Sequence, residues 1–131
     1  MSRIRGKNTR PERAVRRLAH SLGYRFRLHR RDLPGVPDLT FPSRRKVVFV
    51  HGCFWHQHRG CRFAYRPKSN VAFWSQKFEA NRKRDHRALR ELRGTGWDPL
   101  VVWECQVADL SVLSKTLRSH LGTARRISRT K

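Results

Sequence analysis

The chain has 131 residues, room for one compact domain but not comfortably for two. Its 31 Lys and Arg face only 9 Asp and Glu, a formal net charge of +22; such a domain repels itself unless a polyanion lies against it, and nucleic acid best explains the excess. The charge spreads along the whole chain rather than along one amphipathic helix, which argues against a membrane surface, and no apolar run approaches the ~20 residues that span a bilayer.

The first ten residues, MSRIRGKNTR, read as a basic arm without the apolar stretch of a signal peptide. The expected location is therefore the cytoplasm, in association with the nucleoid, where the three cysteines stay reduced. An odd cysteine count in that compartment points to metal or core roles rather than a disulfide frame. The expected organisation is the arm at 1–10, one folded domain at 11–122 and a basic tail at 123–131.

A helix should begin near Pro11 and Glu12, since Pro suits the first turn and an acid suits the positive end of the helix dipole. Ala14, Val15, Leu18, Ala19 and Leu22 recur at helical spacing, and Gly23 offers a stop. In YRFRLHR, Tyr24, Phe26 and Leu28 alternate with basic residues, the pattern of a half-buried strand. The turn LPGVPD leads to a second strand at about 38–41. KVVFV (46–50) is a third, and its unbroken apolar run suits a central strand covered on both faces.

Residues 51–69 are irregular and rich in His, Cys, Gly and aromatics. A long helix follows from near Asn70 to Arg93, with Trp74, Phe78, Ala88, Leu89 and Leu92 near one stripe, and Gly94 and Gly96 end it. PLVVWE (99–104) is a fourth strand, and Ser111 can cap a last helix carrying Val112, Leu113, Leu117 and Leu121. Three strands, a helical crossover and a fourth strand predict a single α/β domain with a central mixed four-stranded sheet flanked by helices.

Cys53, His58 and Cys61 fall within nine residues, C-x4-H-x2-C, in a stretch without helical or strand periodicity. Thiolate and imidazole ligands at that density favour Zn²⁺, which takes four of them in a tetrahedron. Cys105, just past the fourth strand, is the remaining cysteine and would pin the loop to the sheet. Four protein ligands leave no open position, so such a site is structural. His51 and His56 compete with His58 for the imidazole place, and three buried, metal-free thiols are the plainer alternative.

Asp38 follows Pro37 at the head of a strand, one of few carboxylates in a basic chain. Opposite charge nearby is expected to keep it ionised and able to hold a hard cation such as Mg²⁺. HGCFWH, directly after the apolar strand, offers His51 and His56 as proton acceptors, and Asp85 on the long helix can orient one of them. A turn-forming acid with no chemistry is the competing reading of Asp38. Phe54 and Trp55 are expected to be exposed in a polar stretch, suited to stacking on an opened base step; Trp74 could share that role or face the core.

Taken together, PGVPDL, VFVHGCFWHQH, FW-x-x-KF-x-x-N-x-x-RD and VVWEC, in this order, resemble the very-short-patch repair endonucleases, a branch of the PD-(D/E)xK nuclease superfamily. MSRIRGKNTRPE resembles that family's N-terminal segment, so the likeness covers roughly residues 1–105. It implies a restriction-endonuclease-like fold, with 11–122 as the endonuclease domain. It also implies a single-strand nick 5′ to the T of a T:G mismatch, the product of 5-methylcytosine deamination. Asp38 matches the metal-binding aspartate, His56 the general base, Asp85 its orienting acid, His51 a second histidine near the scissile phosphate, and Glu12 a supporting acid. The Val50 backbone carbonyl is the second Mg²⁺ ligand in this correspondence, at a place where Thr is familiar.

Cys53, His58, Cys61 and Cys105 match the zinc ligands, in a loop one residue longer between His58 and Cys61. Phe54, Trp55 and Trp74 match aromatics that wedge into DNA from the major groove, and Met1 and Ile4 match apolar residues inserted from the opposite groove. Mismatched duplex DNA is the implied partner, mismatch-repair proteins are candidate partners, and a monomer is expected. Two other readings stay open from sequence: a noncatalytic zinc-stabilised nucleic-acid-binding module, and a nuclease of this fold with different specificity.

Overall fold

The computed structural model describes residues 9–122; the expected DNA-inserting residues Met1 and Ile4 lie outside them. Helix α1 (Arg10–Ser21) starts where Thr9 accepts a hydrogen bond from the Glu12 amide, with Pro11 in the first turn. Strands β1 (Arg27–Leu28), β2 (Leu39–Phe41) and β3 (Lys46–His51) follow, then the 24-residue helix α2 (Val71–Gly94), β4 (Asp98–Trp103) and α3 (Leu110–Leu121). The strand order is β1-β2-β3-β4; β1–β2 and β2–β3 are antiparallel, and β3–β4 is parallel across the α2 crossover. The mixed four-stranded sheet read from the sequence is thus present.

β3 is interior, and its side chains serve two cores. Val48 joins Val15, Ala19, Leu113 and Leu117 on the side of α1 and α3, whereas Val47 and Phe49 join Leu92 and Trp97 on the side of α2. Each fully buried apolar side chain of this kind contributes roughly 1.5–3 kcal/mol of transfer free energy. No helix of the described residues is long and apolar enough to cross a membrane.

Two local expectations fail. The strand expected over Tyr24–Arg30 shrinks to Arg27–Leu28, both exposed. Tyr24 instead points its ring into the core against Phe41 and bonds the Gly122 carbonyl, while His29 takes a left-handed backbone (φ 47°) that ends the ladder. The last helix is capped by Asp109, whose carboxylate accepts from the Ser111 and Val112 amides, and not by Ser111. An acid at the N-cap answers the dipole as well as the free amides.

The LPGVPD turn rests on α2. At Gly35 (φ +75°) a Cβ would stand 2.7 Å from the Ala88 Cβ and 3.1 Å from the Phe49 ring. Backbone conformation and close approach both demand glycine there. The approach falls about one helical turn from Asp85 on α2 and three residues before Asp38 on the turn, so it fixes how those two acids stand to each other.

Candidate active site

Asp38, Val50, His51, His56 and Asp85 line one cleft of about 490 Å³, between the Gly35–Val36 turn, the end of β3 and the flank of α2. Arg84 and Arg87 also line it. Asp38 receives a 2.6 Å hydrogen bond from the Val50 amide. Burial pushes its carboxyl up to about 7, opposed by the Val50 bond and reinforced by the neighbouring Glu12. This corrects the expectation that nearby cations would hold Asp38 ionised: desolvation outweighs them here.

Glu12 does not line the cleft. It lies 1% exposed behind it, with His29 Nε2 2.7 Å from its Oε2, and His29 Nε2 is 3.9 Å from Asp38 Oδ1. These three side chains can bring their ligand atoms together around one ion.

His56 reaches its place because the chain turns sharply after β3, with the His56 amide bonding the Gly52 carbonyl at 3.1 Å. Its Nδ1 lies 2.6 Å from Asp85 Oδ2. The Asp85 carboxylate accepts a hydrogen bond from Nδ1–H there, which leaves Nε2 as the ring's basic atom. The His51 ring stacks on His56 at 3.8 Å and 5°. Burial, helped by His56, lowers the His51 pKa to about 4, so His51 is neutral near pH 7. Its Nδ1 is buried without a hydrogen-bond partner among the described residues, a state that native interiors rarely keep without a functional reason.

A second cluster brings Cys53, His58, Cys61 and Cys105 together, with all four ligand atoms within 4.8 Å of one another. His58 Nδ1 is 3.7 Å from Cys53 Sγ and 3.5 Å from Cys105 Sγ. Tetrahedral Zn²⁺ would separate sulfur and nitrogen ligands by about 3.6 Å, so the donor set fits that ion in kind and spacing. Burial, with the adjoining thiols, pushes Cys53 up to about 12; sulfurs this close cannot all ionise without a cation between them. Of the competing histidines, His58 stands with the thiols, while His51 and His56 stand with Asp85.

The family model described as DNA mismatch endonuclease Vsr matches residues 1–62. The chain is 60% identical over 121 residues to the type II nicking enzyme V.XorIIP of Xanthomonas oryzae pv. oryzae, spanning 92% of this chain and 88% of that protein. With the DNA mismatch endonuclease Vsr of Escherichia coli K12 it shares 38% identity over 105 residues, 80% of this chain and 67% of the relative. The chain belongs to the Vsr family. It is an endonuclease, and DNA is its substrate.

Beside the cleft of this Vsr-family chain lies a cluster of aromatic rings. Phe54 touches Trp55, Tyr65, Trp74 and Phe78 with centroids 5.0–5.4 Å away. Trp55 is 48% exposed, but Phe54 is only half-exposed at most and props the cluster from within, which corrects the expectation of two exposed rings. Trp74 is intermediate too, stacked on Phe78 and in contact with Trp55.

Several residues of the site have no role assigned from the sequence, although Asn81, Trp103 and Glu104 fall within the motifs that carry the family resemblance. Asn81 is buried on α2 and donates to the Trp55 carbonyl at 2.9 Å. Phe78, Asn81, Asp85, Ala88 and Leu92 form one heptad-like stripe, so two polar residues inside an apolar stripe were the available signal. Trp103 stacks on His58 at 4.1 Å and meets His51 edge-on at 5.3 Å. Glu104 accepts from the Cys53 amide at 3.2 Å. His29 carried no signal beyond being a histidine at the end of a basic strand.

Proposed function

We propose that this endonuclease nicks one DNA strand 5′ to the T of a T:G mismatch, in the repair of deaminated 5-methylcytosine. The observation that carries the reading is the single cleft in which Asp38 and the His51–His56–Asp85 group face each other, next to an aromatic cluster with Trp55 at its surface. The relatives named as mismatch endonuclease and as nicking enzymes support the same reading.

In this mechanism His56 is the general base. With Nδ1 engaged by Asp85 at 2.6 Å, Nε2 takes the proton of the attacking water, and the Asp85 carboxylate stabilises the imidazolium that forms. The stacked His51 is neutral, so it adds no charge repulsion against that imidazolium and can approach the scissile phosphate as a hydrogen-bonding group. Asp38 and the Val50 carbonyl are the oxygen donors for Mg²⁺, which when bound would polarise the phosphate and lower the barrier to forming a hydroxide nucleophile. A buried carboxylate whose ligand oxygen lies within 4.8 Å of ligand atoms of Glu12 and His29 fits such an ion. Glu12 supports that anchor from α1.

Cys53, His58, Cys61 and Cys105 hold a structural Zn²⁺ that ties the 52–61 loop to the end of β4. Trp55, backed by Phe54 and Trp74, enters the stack at the mismatch, where a base step opens at lower cost; Met1 and Ile4 of the arm enter from the other groove. The test is incubation with Mg²⁺ and end-labelled duplexes, one with a T:G pair and one fully paired. Cleavage at one strand of the T:G duplex, lost in Asp38→Ala with DNA binding retained, is the expected result; equal cleavage of both duplexes would refute the mismatch specificity.

A further inference from the structure

We infer that His29 is a positioning residue for the reaction centre: it holds the Glu12 carboxylate in place relative to Asp38. The inference rests on the assignment of Asp38 and Glu12 to that centre.

His29 makes two attachments that tie separate parts of the chain together. Its ring Nε2 lies 2.7 Å from Glu12 Oε2 on α1, and its backbone amide donates to the Asp38 carbonyl at 3.3 Å. One residue therefore sets the Glu12 side chain and the Asp38 main chain against a common reference. Its Nε2 also stands 3.9 Å from Asp38 Oδ1, between the two carboxylates.

The backbone conformation at His29 is consistent with that role. His29 sits at φ 47°, in the left-handed region that side-chain-bearing residues enter uncommonly, His, Asn and Asp more often than the rest. Such conformations persist where the surroundings over-determine them, and they concentrate at working sites. Gly would suit the dihedral better, so the ring explains why a side chain is kept there.

The bond also answers a burial problem. Glu12 is 1% exposed, and the ion pair to Arg16 is long at 3.8 Å. A short bond from an imidazole N–H fixes which way the carboxylate faces as well as lowering the cost of burying it. Groups of this kind behind metal-binding acids typically change metal affinity or activity by 10–100-fold when removed.

The experiment uses the full chain with T:G duplex under single-turnover conditions, together with Mn²⁺ titration of the DNA-free protein followed by electron paramagnetic resonance. His29→Gly keeps the dihedral at ease and deletes the ring; His29→Gln keeps an N–H donor of similar reach. His29→Gly is expected to weaken Mn²⁺ binding and to slow cleavage, each by about 10-fold or more, with duplex affinity unchanged. His29→Gln is expected to recover most of both. Combined with Glu12→Ala, His29→Gly should add almost no further loss, because the two act as one unit.

Full Mn²⁺ affinity in His29→Gly, or losses that multiply in the double variant, would overturn the role of His29. Asp38→Ala is run alongside: if it still cleaves, the assignment of the reaction centre fails, whereas an inactive Asp38→Ala beside an unaffected His29→Gly overturns the role of His29 alone.

Discussion

The indole of Trp103 stacks on the His58 ring at 4.1 Å and 7° and presents an edge to His51 at 5.3 Å. The last residue of β4 thus lies between the thiol cluster and the cleft, and anything that displaces His58 also frees the ring that borders His51. Zinc removal is therefore expected to reach the reaction without touching it directly. Elemental analysis should find about one zinc per chain, by the four-ligand rule. Cys105→Ser should loosen the metal, lower the melting temperature and reduce cleavage, because metal binding energy is folding energy in such sites. Native protein free of zinc would refute this.

Metal affinity in the cleft should depend on pH in a direction set by Asp38. Its carboxyl is pushed up to about 7 by burial, so below that pH a cation must displace a proton. Mg²⁺ affinity is expected to rise by up to tenfold per pH unit below 7 and to level off above it. The sign for stability of the metal-free protein is the reverse. The folded state holds the Asp38 proton that the unfolded state has released between about 4 and 7, so this group's contribution falls as pH rises through that window. Calorimetric Mg²⁺ titrations at several pH values decide the first point; an affinity flat from pH 5.5 to 7.5 would contradict it.

Gly35→Ala should be costly for two separable reasons. The left-handed backbone costs an L residue roughly 1–2 kcal/mol, and the 2.7 Å approach to Ala88 adds an overpacking cost of about 1–3 kcal/mol. Adding Ala88→Gly should return the Ala88 share of the packing cost but neither the Phe49 share nor the dihedral part, less about 1 kcal/mol for glycine in a helix. Urea denaturation of the two single variants and the double variant checks it. Equal stability of Gly35→Ala and the parent would show that the turn can move away from α2.

Mismatch preference and general affinity should respond to different changes. Trp55→Ala is expected to narrow the affinity gap between T:G and paired duplex while leaving the salt dependence nearly intact. Charge reversal at Arg3, Arg5 and Lys7 should lower both affinities and flatten the salt slope by roughly 0.9 for each phosphate no longer neutralised. If Trp55→Ala weakens both duplexes equally, the ring serves packing and discrimination resides elsewhere.

Much of this molecule could be read from its residues because the signals were dense. KVVFV announced a strand covered on both faces, and Val47 and Val48 do bury on opposite sides of the sheet. The spacing of Cys53, His58 and Cys61 announced a shared site, but which histidine stands with the thiols depended on the turn at 52–57, a matter of backbone geometry that spacing does not encode. YRFRLHR misled because period-two alternation describes a half-buried surface, and Tyr24 meets that condition from a loop packed on Phe41. Asp38 misled in another way: net charge reports the whole surface, whereas ionisation follows local desolvation. The roles of Asn81 and His29 were hidden because each depends on bonds to residues far off in sequence.

The close approach of Gly35 to Ala88 leaves no slack between the turn that ends in Asp38 and the helix that carries Asp85. A cleft assembled this way would have its width set before substrate arrives, with no hinge at that point by which to close further. The adjustment then falls to the nucleic acid. On the proposed mechanism a duplex would have to bend or unstack to bring a phosphate to Asp38 and His56, and the energy needed varies from one base step to another. Rigidity at one glycine would thereby turn the stiffness of DNA into a criterion for choosing where to cut.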